Sequence, residues 1–182
     1  MNGLSKGIRK VEVALQWDPS PMGQPPTDLD LIAATYERND PYGTPAYLVH
    51  FDSRSPDGTI LLNRDSADGK GFGPDEVMTL ELDRLDGRYA RVVVGVVIQQ
   101  RPVSRMFAGV LNPAVHVREG YTVLADEGFA SVSGATAATV AEFVRDELGG
   151  WDFVPGVHGF EEDPAMFTSV MGRRGGPGGQ PA

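Results

Sequence analysis

Between positions 65 and 76 the chain reads Asp65-Ser66-Ala67-Asp68-Gly69-Lys70-Gly71-Phe72-Gly73-Pro74-Asp75-Glu76. Four acids and three glycines fall within these twelve residues. Glycine lets a loop fold back on itself, so several carboxylate oxygens can converge on one hard cation such as Ca²⁺. Asp at the first position and Glu at the twelfth follow the pattern of an EF-hand loop. The rest departs from it: the third and fifth ligand positions are Ala67 and Gly69, the required glycine is Lys70, and the flanks read as strands. Two readings stay open on these residues alone, an irregular calcium loop and a polar, glycine-rich hairpin loop. A second acidic pair, Asp28-Leu29-Asp30, opens an apolar run that continues to Tyr36. Strand alternation puts both carboxylates on one face, about 6–7 Å apart along it. Aligned carboxylates repel unless a cation or buried donors compensate, whereas a solvent-exposed strand entry needs neither.

Other chemistries find less support. The absence of cysteine rules out disulfides, thiolate metal sites, iron–sulfur clusters and cysteine nucleophiles. His50, His116 and His158 are scattered, with no pair at helical spacing that would suggest zinc. Gly69-x-Gly71-x-Gly73 lacks the dinucleotide-binding spacing and runs into Pro74-Asp75 rather than a helix. Ser131 and Ser133 have no glycine two residues before them, so neither forms a nucleophile elbow. An enzyme using the paired carboxylates, on a glycan for instance, is disfavoured because no aromatic platform lies near them. Trp17 and Trp151 read as core anchors, and Arg101 and Arg105 as parts of a solvated loop.

The elements that must position these acids are short and rich in β-branched residues. Val11–Trp17 and Val77–Leu82 alternate with period two and predict half-buried strands. Further strands are expected over Leu29–Tyr36, Ala46–Phe51, Thr59–Leu62, Tyr89–Gln99, Ala114–Val117 and Tyr121–Leu124. Val92–Ile98 is apolar on both faces and reads as the central buried strand. Ser55-Pro56-Asp57-Gly58 predicts a tight hairpin turn. Val140, Phe143, Val144 and Leu148, followed by Gly149-Gly150, predict a helix over 136–148. Asp163-Pro164 predicts the start of a second, short one. The fold class expected is mainly β, an antiparallel β-sandwich with one or two short peripheral helices. One domain over 1–172 precedes a Gly/Pro-rich tail at 173–182, expected to be disordered.

The 23 glycines and 14 prolines together form about a fifth of the 182 residues, against a usual share of roughly 12%, which argues against a helical bundle. The formal net charge is -9, a surface that repels nucleic-acid phosphates and anionic lipid. The acidity is local: residues 18–86 hold 14 acids and 5 bases, and the remainder 11 of each. No stretch reads as a signal peptide or a transmembrane segment, so a soluble, cytoplasmic protein without nucleic-acid partners is expected.

Taken in order, Leu4-Ser5-Lys6-Gly7, Leu15-Gln16-Trp17-Asp18, Asp28-Leu29-Asp30, Phe51 with Ser55–Gly58, and the loop 65–76 form a pattern. Phe107, Val110, Asn112, Val117, Arg118, Trp151, Phe153 and Gly156 continue it. This pattern resembles the TerD-type tellurium-resistance and calcium-binding stress-protein family over nearly all of residues 4–172. The resemblance implies a β-sandwich without enzymatic activity that binds one or two Ca²⁺ ions and works with other proteins of a stress-response system. It implies metal ligands at Asp28, Asp30, Asp65, Asp75 and Glu76, with Gly69, Gly71 and Gly73 matching the glycines of the family's loop and Asp68 a further candidate ligand. This chain departs from the family's pattern at Pro26, Ser66, Phe72 and Pro74, where acids or asparagine are usual, while Asp68 adds an acid. Fewer anionic ligands move the expected affinity toward dissociation constants of roughly 10⁻⁵–10⁻³ M. The other outcome of such departures is a metal-free interaction module of the same fold, with Phe72 filling the vacated space.

Overall fold

The computed structural model describes residues 7–173; the Gly/Pro-rich tail lies outside the described residues from 174 onward, as do residues 1–6. Two antiparallel sheets face each other, which is the sandwich expected. The first has the order β4 (Ile60–Arg64), β5 (Glu76–Glu81), β1 (Lys10–Asp18), β7 (Leu111–Glu119) and β8 (Thr122–Gly128). The second runs β10 (Trp151–Val154), β9 (Ala137–Arg145), β6 (Tyr89–Ile98), β2 (Leu29–Glu37) and β3 (Tyr47–Val49), and β11 (His158–Phe160) extends the β9 edge.

Alternation builds the core. Val11, Val13, Leu15 and Trp17 of β1, with Met78 and Leu80 of β5, pack against Leu29 and Leu31 of β2 and Val92, Val94, Val96 and Ile98 of β6. Strand β6 is buried along its whole length, as its sequence predicts. Its outer face joins a second cluster with Tyr36, Phe160, Phe167 and Met171. That face is covered by one short helix, α1 (Pro164–Val170), whose N-cap Asp163 accepts a hydrogen bond from Met166 N. A Cβ on Gly95 of β6 would lie 2.6 Å from the Phe167 ring, so glycine there is what lets the helix lie close to the strand.

Two expectations are corrected. The stretch expected as a helix over 136–148 is strand β9, paired with β6 on one side and with β10 and β11 on the other. A register shift opposite Val94/Gly95 inserts Val140 as an extra residue, so Ala138, Val140, Ala141 and Phe143 all face the main core. The bulge breaks the period of two and leaves a spacing that imitates a helix. The turn Ser55–Gly58 does not close a hairpin: β3 pairs with β2 and β4 with β5, so it carries the chain from one sheet to the other. Turn chemistry fixes a local reversal, here with Asp57 Oδ1 accepting from Thr59 N and Oγ1, but not the sheet that the next strand joins.

Candidate metal centre

The long loop between β4 and β5, residues 65–75, sits at the end of the sandwich where β1 and β6 finish and β2 begins. Burial along β5 alternates from its first residue, so Glu76 occupies the inward register of Met78 and Leu80 and is fully buried. Its Oε2 accepts a hydrogen bond from Leu31 N at 2.6 Å, which ties the two sheets together. Its Oε1 is buried without a hydrogen-bond partner. Asp30, 4% exposed, accepts a hydrogen bond from Gln99 Nε2 at 2.5 Å. Asp65 reaches in from the exposed loop, and one ligand oxygen from each of Asp30, Asp65 and Glu76 lies within 4.8 Å of the others.

This convergence has an electrostatic cost. Burial, augmented by the Asp65 and Asp30 carboxylates, pushes Glu76 up to about 11. Burial also raises Asp30, against the opposing pull of the Gln99 amide. Asp28 is pushed up to about 7 by burial and then by the charges of Asp30, Asp65 and Asp68. Crowded carboxylates in a partly dry site hold protons unless a cation takes their place. The donor set is all oxygen and all carboxylate, and both Glu76 Oε1 and Asp28 Oδ1 are buried without partners. Such a set fits a hard divalent cation better than a transition metal.

The six acids singled out in the sequence separate into three groups. Asp30, Asp65 and Glu76 converge. Asp28 and Asp68 stand half-buried beside them, with Asp68 also accepting from Lys70 N and lying 3.8 Å from Lys70 Nζ. Asp75 is turned to β1, where its Oδ2 accepts from Trp17 N at 2.8 Å. Gly69 has a φ of +73° and lies so close to Trp17 that a Cβ would meet Nε1 at 2.5 Å. The same Nε1 donates to Thr27 O, so Trp17 pins both the 65–75 loop and the segment leading to Asp28. Phe72, 98% exposed, does not fill the site. Gln99, which donates to Asp30, is the candidate site residue that the sequence reading missed. Its signal is a first polar residue after the apolar run of β6, in register with Asp28-Leu29-Asp30 through Gln99 N→Asp28 O.

A family model described as the TerD domain matches residues 2–167. Among solved structures, the crystal structure of a protein of unknown function is 70% identical, with a TM-score of 0.92, over 93% of this chain and 100% of that one. A homologue of telluride resistance protein (TerD) from Streptomyces coelicolor A3(2) is 51% identical, with a TM-score of 0.89, over 94% of this chain and 100% of its own. No curated protein gives a significant match.

Proposed function

Since this chain belongs to the TerD domain family, associated with tellurium resistance, we propose that it is a calcium-binding, non-enzymatic stress-response protein. In this reading it is an interaction module stabilised by Ca²⁺, with proteins of a stress-response system as partners. The observation that carries the calcium reading is Glu76: a fully buried carboxylate with one oxygen unpartnered, facing Asp30 and Asp65. Asp30, Asp65 and Glu76 would hold the ion, with Asp28 and Asp68 adding negative charge around it. Bound calcium would neutralise the crowded carboxylates and join the β4–β5 loop to the start of β2. Its role is electrostatic and structural.

The test is metal analysis of the purified protein together with a calcium titration followed by heat unfolding. A ligand bound only by the native state stabilises by about 2.7 kcal/mol at a hundred times its dissociation constant. The wild-type melting temperature should rise with calcium and that of Asp65→Ala should stay flat. No rise in the wild type at millimolar calcium rejects the reading.

A further inference from the structure

Three loops leave the sandwich at the acidic end: residues 19–28 after β1, 65–75 after β4 and 99–110 after β6. Each presents an exposed apolar side chain. Met22 is 103% exposed, Phe72 98% and Val103 44%. The loops are held from within: Arg105 Nη2 donates to Pro25 O at 2.7 Å, and Trp17 packs between Gly69 and Thr27 O. Two of the tips also follow an exposed cation by two residues, Lys70 before Phe72 and Arg101 before Val103. Apolar tips beside cations match an interface where hydrocarbon lies beneath anionic headgroups. A protein-binding patch instead centres on contiguous apolar surface depleted of lysine.

We propose that this end of the sandwich docks on anionic membrane surfaces when calcium is bound, inserting Met22, Phe72 and Val103. The proposal rests on the calcium reading above. Without calcium, the acids of these same loops, exposed Asp65 and half-buried Asp28 and Asp68, repel an anionic bilayer. A bound calcium ion adds two positive charges to those of exposed Lys70 and Arg101, which together offset most of that repulsion. The overall charge that argues against lipid binding is thereby overcome only at this end and only with the ion present.

The test is sedimentation of the full chain with phosphatidylcholine–phosphatidylserine vesicles and with pure phosphatidylcholine vesicles, in calcium and in chelator, at about 0.15 M ionic strength. The variants are Phe72→Ser and the triple Met22→Ser/Phe72→Ser/Val103→Ser, all at exposed positions outside the carboxylate group. The wild type should bind the phosphatidylserine vesicles in calcium only. Phe72→Ser should weaken partitioning by about tenfold or more, and the triple variant should lose it. Both variants should keep the calcium-dependent rise in melting temperature. If calcium stabilises the wild type but no vesicles bind, the lipid assignment falls and the calcium reading stands. Undiminished vesicle binding by the triple variant also overturns the assignment. Calcium-driven pelleting without vesicles would show that the tips meet a second copy of the chain instead. If calcium does not stabilise the protein at all, both readings fall.

Discussion

Glu76 stands where an apolar residue would continue the inward row of Met78 and Leu80. Burial keeps it protonated at neutral pH without the ion, with Oε2 still accepting from Leu31 N. Glu76→Gln, which needs no proton to be neutral, should therefore melt in chelator at or above the wild-type temperature, yet lose the calcium-induced rise. Glu76→Ala leaves Leu31 N unpaired and should cost about 1–3 kcal/mol in chelator, and more in calcium, whose stabilisation it also loses, read by denaturant unfolding. Glu76, Asp30 and Asp28 all shape the pH dependence in the same direction, and Asp28 is the one raised to near neutrality. It holds its proton more tightly folded than unfolded, with a pKa near 7 against an ordinary 3.8, so the native state binds more protons across that window. Stability of the calcium-free protein should then fall as pH rises from 4 to 7. Saturating calcium should flatten that slope, and calcium added at pH 6 should release protons measurable in weak buffer. A chelated protein whose melting temperature climbs steadily over this window would contradict the assignment.

At the scale of elements, what the sequence reveals depends on how many faces a segment buries. Strand β5 has one face on the core, and its alternation at Met78, Leu80 and Leu82 is plain in the sequence, while the structure extends that inward row to Glu76. Strand β6 is buried on both faces, and its continuous valines identify it as central. Strand β9 also packs on both faces, but its bulge at Val140 gives a helix-like spacing that local pattern cannot distinguish from a real helix. The candidate site is legible as a set of acids, not as a geometry. Asp75 and Glu76 are neighbours of similar chemistry, and only strand phase and the position of Trp17 N send one to β1 and the other to the carboxylate cluster with Asp30 and Asp65. Gln99 is hidden for a related reason, because its role depends on the register of β6 against β2. Helix α1 yields a prediction at this scale. Phe167 is fully buried against Gly95, so Phe167→Ala should cost about 3–5 kcal/mol, measured by chemical denaturation.

Across the whole molecule, the negative charge gathers where Glu76 of one sheet meets Asp30 of the other. Calcium there would act as a clasp between sheets, so it should slow unfolding more than it speeds folding, as measured by stopped-flow in calcium and in chelator. Salt should weaken calcium binding, because exposed Asp65 and half-buried Asp68 are screened. The strand order carries a further consequence. Strand β1 is flanked by β5 and β7, so Leu15 pairs with Glu76 on one side and Val115 on the other. During synthesis this apolar strand leaves the ribosome before either partner, and the second follows it about a hundred residues later. At roughly 5–20 residues per second, β1 waits several seconds with both edges open. For that interval the nascent chain depends on chaperones or on its own charge to stay free of its neighbours.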